Sequence, residues 1–377
     1  MWFFFIGVMG TYAAMHAYVF FKVRAAFPLP PPLLGLLALF LGLMVVSHVL
    51  THSVERSGHV LAARIFGTFS NLWVAWIFWS FSAALAADLW NLTARAAGAF
   101  APAARALALS PRAILAFAAA CVVLGTAWGL VEASRLRVRE LRIETACLPP
   151  GAPPIRIVHL TDVHLGIDRG PRLLRRIIAR IDKIHPDVVV STGDLMDSSF
   201  FHLEPLAAQL RAVQPPLGKF AVLGNHEYYA KLAEALPFHE AAGFQLLRGT
   251  NVIVAPGLRL AGVDDAAGEY THQPSFSNES SLPPRDAHTF TILLKHQPIV
   301  LPDSAAKFDL QLSGHTHGGQ IFPFQWLLRL MYRYGAGPHD LKGGSQLFVS
   351  RGAGTWGPPF RVLAPPEILL ITLVPAS

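Results

Sequence analysis

Four stretches in the first third of this chain contain no Asp, Glu, Lys or Arg: Met1–Phe21, Ala25–Val54, Ile65–Ala87 and Ala113–Val131. They run for 21, 30, 23 and 19 residues. A helix of about 20 apolar residues is long enough to cross the hydrocarbon core of a bilayer. The Pro28–Pro32 segment interrupts the second stretch, so its span is expected to begin near Leu33. Trp73, Trp76, Trp79 and Trp90 suit an aromatic-rich membrane helix with interfacial ends. Lys22 and Arg24 follow the first stretch rather than precede it, the wrong polarity for a cleaved signal peptide. The expectation is a transmembrane region over residues 1–134 with about four helices.

Charge divides the chain at the same place. Residues 1–134 hold 7 Lys/Arg and 3 Asp/Glu, and the remaining residues hold 24 and 21. The overall charged fraction of 15% is therefore an average over an apolar third and an ordinary soluble remainder. An even number of spans would put the N-terminus and the large C-terminal region on one side. The flanking positive charges then divide six against five, which leaves the orientation unassigned.

The net charge of +7 includes no dense Lys/Arg run, so no nucleic-acid surface is evident. Arg135, Arg137, Arg139 and Arg142 follow the last apolar stretch and fit either anionic headgroups or a solvated face. Cys121 and Cys147 are too few and too far apart for a zinc site or a disulfide framework. His16, His48, His52 and His59 lie in or beside the apolar stretches. Without carboxylates inside those stretches they read as packing or interfacial residues, and a transporter reading has little to rest on. No protein partner can be inferred.

From about residue 135 the periodicity changes. Val138 and Leu141–Ile143 read as an early strand, and Leu148–Pro154 as a linker, so residues 135–154 join the apolar third to a domain over 155–377. Strand candidates are Ile155–Leu160, Asp187–Ser191, Lys219–Leu223, Leu258–Gly262, Thr289–Leu294, Leu310–Leu312, Leu347–Val349 and Ile368–Val374. Leu173, Leu174, Ile177, Ile178 and Ile181 recur at helical spacing, with arginines on the opposite face. Ala266–His288 is polar and reads as a surface loop. The pattern is α/β or α+β, with two packed sheets or one large mixed sheet.

Residues with coordinating side chains gather where these strands end. Asp162 and His164 follow the first strand of the domain, two residues apart and so on one side of an extended backbone. Gly193-Asp194 follows the next, with Asp197 three residues on. Gly224-Asn225-His226-Glu227 follows the third. His296 ends a later strand, and Gly314-His315-Thr316-His317-Gly318-Gly319 ends another. One such piece is an ordinary turn or a structural histidine. Five in succession, all at strand ends, have the donor types of a metal site.

These blocks resemble the signature of the calcineurin-like metallophosphoesterases, in the same chain order. The likeness covers roughly residues 136–376. Gly-Gly-Gln-Ile at 318–321, Ser-Arg-Gly-x-Gly at 350–354 and Pro-Glu-Ile at 366–368 resemble a membrane-associated bacterial subgroup, similar to the animal transmembrane proteins with a metallophosphoesterase domain. Glu227 stands where the family often has Asp.

The resemblance implies a sandwich of two mixed β-sheets flanked by helices, carrying two divalent transition metal ions (Mn, Fe or Zn). Asp162, His164, Asp194 and His317 would hold one ion. Asp194, Asn225, His296 and His315 would hold the other, with Asp194 bridging. Metal-activated hydroxide would attack phosphorus, and His226 would stabilise the phosphoryl oxygens or protonate the leaving oxygen. Asp197 and Glu227 would orient histidines or bound water from behind.

The function expected is a metal-dependent phosphoric ester hydrolase, anchored in the bilayer of a bacterial cytoplasmic membrane. It would cleave a phosphoester or pyrophosphate bond, with a lipid-linked phosphoester or pyrophosphate as the leading substrate; the resemblance also allows a nucleotide-sugar lipid such as a diacylglucosamine diphosphate compound, and a soluble phosphomonoester or phosphodiester is the remaining alternative. The competing reading is a catalytically silent membrane scaffold that uses the same fold to bind protein. Residues Ile321–Tyr334, apolar with aromatics and two arginines, read either as a core helix with its cap or as an interfacial surface beside the metals.

Overall fold

The computed structural model describes residues 2–56, 59–166, 170–197 and 200–376. The side chains of 2–5, 52, 55, 56, 60, 63, 200–202 and 281 are outside that description, and His52 and Arg56 are among them. The described chain divides into two units, Met1–Val131 with Gly357–Phe360, and Glu132–Trp356 with Arg361–Ser377.

The first unit is helical: α1 Trp2–Ala26, α2 Pro31–Val45, α3 Ser47–Arg56, α4 Val60–Ala97 and α5 Pro111–Ser134. Among the described residues, two helices are long and apolar enough, by length and composition, to cross a membrane: Arg64–Ala97 within α4, and α5. The expectation of four spans is therefore met only in part. The 30-residue uncharged stretch is split at Val46 into α2 and α3, and α2 has only 15 residues. The Ser47 hydroxyl donates to Met44 O at 2.8 Å, a side-chain bond that competes with the helical ladder at the break. By contrast, α4 runs for 38 residues, well past the uncharged stretch that marked it.

Pairing between α1 and α4 is polar at one end, where Asp88 binds the Tyr18 hydroxyl and the Lys22 ammonium. Farther along, the Trp73 indole donates to His16 Nε2 at 2.9 Å, and His16 Nδ1 lies 2.8 Å from Tyr12 O. A neutral imidazole satisfies both, so His16 acts as a packing residue.

Among the described residues the second unit carries twelve strands: β1 Arg137–Thr145, β2 Ile155–Leu160, β3 Val188–Ser191, β4 Lys219–Ala221, β5 Gln245–Leu246, β6 Thr250–Ala255, β7 Leu258–Gly262, β8 Phe290–Leu294, β9 Leu310–Ser313, β10 Gly337–Asp340, β11 Gln346–Val349 and β12 Glu367–Pro375. They form two six-stranded mixed sheets, ordered β1-β12-β2-β3-β4-β5 and β10-β11-β9-β8-β7-β6. β2 through β5 are parallel, as are β7, β8, β9 and β11. The helices are α6 Gly170–Ile184, α7 Phe200–Arg211, α8 Asn225–Ala230, α9 Leu232–Ala241, α10 Ala267–Tyr270 and α11 Phe324–Met331.

Strand alternation builds the layers. Ile157, Val188, Val190 and Phe220 face Leu260, Ile292, Leu310 and Phe348 between the sheets. Val158, Leu160 and Val189 point the other way, against Leu174, Ile177 and Ile181 of α6 and Leu203 and Leu206 of α7. Lys219 is buried, and its Nζ donates to Leu210 O at 2.6 Å and Ala242 O at 2.7 Å. It thereby ties the carbonyl ends of α7 and α9 together. The segment read as either core or interface departs from a core helix: no residue of α11 is buried, and Leu330 is 85% exposed.

His159, on β2, is buried with Nε2 2.8 Å from Thr192 Oγ1. Burial pushes its pKa down to about 3. An unfolded histidine titrates near 6.5, so the unfolded chain binds the extra proton between those values. Its contribution to stability is thus fully present above pH ~6.5 and is lost as pH falls toward ~3. Denaturant unfolding at pH 7.5 and 4.5 should show a smaller acid loss for His159→Gln than for the native chain. An equal loss in both would contradict the assignment.

Candidate metal centre

The parallel strands deliver the candidate residues to one edge. Asp162 and His164 follow β2, Asp194 and Asp197 follow β3, Asn225 and His226 open α8 after β4, His296 follows β8, and His315 and His317 follow β9. Asp162, His164, Asp194, His315 and His317 all have positive φ, between 50° and 68°. Non-glycine residues in that region carry backbone strain, which concentrates at functional sites. Two glycines admit the close approaches. A Cβ on Gly314 would lie 2.0 Å from Asp162 Oδ2, and one on Gly224 would lie 2.2 Å from Asp194 Oδ1.

Three groups of donors converge, each with its ligand atoms within 4.8 Å of one another: Asp162, His164 and His317; His164, Asp194 and His226; and Asp194, His296 and His315. In the last, His296 Nε2 lies 3.0 Å from Asn225 Oδ1 and 3.2 Å from Asp194 Oδ2. His315 Nδ1 lies 2.9 Å from the same Asn225 oxygen and 3.1 Å from His296 Nε2. The other nitrogen of His296, Nδ1, donates to Thr192 O at 2.8 Å, which leaves the neutral ring a lone pair at Nε2. Lone pairs this close repel unless a proton or a cation sits among them. Opposite, His164 Nε2 lies 2.9 Å from His317 Nε2, and His317 Nε2 is 3.6 Å from Asp162 Oδ1. Buried imidazole, carboxylate and amide donors fit divalent transition metals.

Burial costs the carboxylates their hydration, and the imidazoles answer it. Asp194 is pulled well below the usual carboxylate range, because His296 and His226 outweigh its burial. His296 is raised: burial opposes its charge, but Asp194, Asp162 and Asp265 outweigh it. His315 is lowered to about 3 and His317 well below its ordinary value, both by burial first and by neighbouring histidines next. A neutral imidazole is the form that coordinates. His226 rises to about 9, since Asp194 and Asp197 overcome its burial.

Asp197 Oδ1 accepts from both His164 Nδ1 and His226 Nδ1 at 2.8 Å. Glu227 has different partners from those expected. Its carboxylate accepts the N–H groups of Asp194 at 2.9 Å, Leu195 at 2.7 Å and Gly224 at 2.8 Å, so it ties the loops after β3 and β4 together. Three contributors were not read from sequence. Thr161 Oγ1 donates to Asp162 Oδ2 at 2.8 Å. Arg361, fully buried, donates to the carbonyls of Gly354, Ala364 and His317, and its Nη2 lies 3.1 Å from His317 Nδ1. The Tyr332 hydroxyl lies 2.8 Å from His315 Nε2. None of the three stands in a motif, so only the fold brings them in. At the mouth, the His226 ring meets Tyr229 and Trp356 edge-on, at 5.4 and 5.8 Å between centroids.

Comparison with known proteins gives the family. The calcineurin-like phosphoesterase family matches residues 155–319. A metallophosphoesterase of Aquifex aeolicus is 41% identical over 256 residues, 67% of this chain and 97% of that protein. One of Bacillus subtilis is 31% identical over 68% of this chain and 93% of its own length. The zebrafish transmembrane protein with metallophosphoesterase domain is 32% identical over 65% of this chain, and 59% of its length is spanned. The chain belongs to the calcineurin-like metallophosphoesterase family. It is a metal-dependent phosphoesterase.

The glycine contacts make a prediction. Gly314→Ala should displace Asp162 and lower the metal content measured by elemental analysis. Gly335→Ala, with nothing within 4 Å of the added carbon, should keep it. Equal metal content in the two variants would contradict the role assigned to the close approach.

Proposed function

We propose that this protein is a membrane-anchored phosphoesterase with a two-cation centre that cleaves a phosphoester or pyrophosphate bond in a lipid-linked substrate. The convergence of Asp194, His296, Asn225 and His315, with successive donor atoms 2.9 to 3.2 Å apart, and of His164 and His317 opposite, carries this reading. Asp162, His164, Asp194 and His317 would hold one cation, and Asp194, Asn225, His296 and His315 the other. Divalent cations held there would supply positive charge to the phosphoryl oxygens and lower the pKa of water.

The chain's own residues do the remaining work. Asp197 is anionic, its pKa held below the usual range because His164 and His226 outweigh its burial. Its bonds at 2.8 Å fix both imidazoles. With Nδ1 held by Asp197, His226 turns Nε2 toward the Asp194 side of the site, 4.0 Å from Oδ2. The raised pKa of His226 keeps a proton on it at neutral pH, where Nε2–H can donate to a phosphoryl oxygen or to the departing one. Tyr229 and Trp356 flank that position and offer flat apolar surface to a leaving group.

The lipid-linked substrate is supported by α11. Trp326, Leu327, Leu330 and Met331 are all exposed, and Arg329 lies among them. A short helix with this composition suits the headgroup–acyl boundary of a bilayer. The apolar helices α4 and α5 would anchor the chain there. The Aquifex and Bacillus relatives are bacterial and the zebrafish relative is named transmembrane, which together support placing the chain in a bacterial cytoplasmic membrane.

Two measurements test the reading. On a chromogenic phosphodiester, His226→Asn should lose ~10²–10⁴ in kcat while retaining metal, whereas Asp194→Ala should lose both metal and turnover. Full-rate hydrolysis by Asp194→Ala would sink the assignment. On a lipid pyrophosphate in mixed micelles, Trp326→Ser/Leu330→Ser should slow turnover and leave the soluble diester rate unchanged. Equal rates on the micellar substrate would remove the lipid part of the proposal.

A further inference from the structure

The His315 ring is approached from both sides. Its Nδ1 faces Asn225 Oδ1 at 2.9 Å and His296 Nε2 at 3.1 Å, inside the candidate metal centre. Its Nε2 faces away from that cluster, 2.8 Å from the Tyr332 hydroxyl, and the two rings lie 5.7 Å apart at 67°. A neutral imidazole carries one proton and one lone pair, and whichever nitrogen is hydrogen-bonded as a donor leaves the other free to coordinate.

We propose that Tyr332 is a positioning residue for this centre: its hydroxyl accepts the Nε2–H of His315 and so presents the Nδ1 lone pair to a cation. The proposal rests on the metal-centre reading above. Two features place the tyrosine. It follows the last turn of α11, where its backbone N–H closes on Leu328 O at 2.8 Å, and its side chain is half-buried. Its partner is equally fixed, since His315 has φ of 68° and its N–H donates to both oxygens of Asp162, at 2.9 and 3.0 Å. Only the imidazole torsions of His315 remain to be set, and the 2.8 Å contact sets them.

The arrangement parallels that of the neighbouring ligands. His296 uses Thr192 O behind it and His164 uses Asp197 behind it. Tyr332 gives His315 the corresponding acceptor, a hydroxyl instead of a carbonyl or carboxylate.

The test is Tyr332→Phe in the full chain in detergent, stripped of metal and titrated with Co²⁺ alone. Loss of an acceptor behind a metal-bound histidine typically costs ~10–100-fold in metal affinity. The weaker Co²⁺ binding step should fall by about that factor, with a changed visible spectrum, and added Co²⁺ should restore turnover. Tyr334→Phe, two residues on, should match the native titration, and unfolding of apo Tyr332→Phe should match the native apo protein. An unchanged affinity and spectrum in Tyr332→Phe would overturn the proposal. A native chain that binds no Co²⁺ would instead overturn the metal-centre reading on which it stands.

Discussion

Asp162 and Asp194 are buried at the strand edge, 0% and 2% exposed, with His296 fully buried beside them. Burying carboxylates costs several kcal/mol each unless opposite charge and hydrogen bonds offset the lost hydration. Most of the local architecture answers that cost. Imidazoles from the loops after β2, β4, β8 and β9 turn inward, the His226 N–H caps Asp194, and the His315 N–H caps Asp162. The glycines at 224 and 314 exist at the points where any side chain would strike those oxygens. Divalent cations held here would complete the balance and would explain why so many lone pairs face one another.

Much of this could be read from the chain alone. The β2 and β7 boundaries were recovered residue for residue, since each is a short apolar run between turn signals. The convergence of the candidate ligands was legible because parallel strands end together, so donors far apart in sequence share one edge. Other features were hidden. β5 has two residues, and β6 and β10 are edge strands, so none shows a clear apolar period. Glu227 reads as a helper of histidines, yet its buried carboxylate binds four backbone N–H groups, a role set by the nearness of two loops. Arg361 and Tyr332 belong to no motif. The apolar stretch before residue 55 read as one span, but a serine hydroxyl competing for a carbonyl divides it.

A tyrosine connects two parts of the account. Tyr332 follows directly on α11, a helix with no buried residue, and it meets the ligand candidate His315. Under the proposed function the same short segment would both engage an apolar substrate and hold His315 in register. The apolar helices of the first unit explain the low charged fraction of the whole chain, and under the proposed function the exposed face of α11 would suit the catalytic domain to a lipid surface.

Anomalous diffraction from the metal-loaded chain tests the central claim most directly. The account predicts two scatterers about 3.5–4 Å apart, the spacing of two-metal sites, with the Asp194 carboxylate between them. One would contact Asp162, His164 and His317, and the other Asn225, His296 and His315. Ions bound elsewhere, or a metal-soaked crystal with no scatterer at this edge, would contradict it.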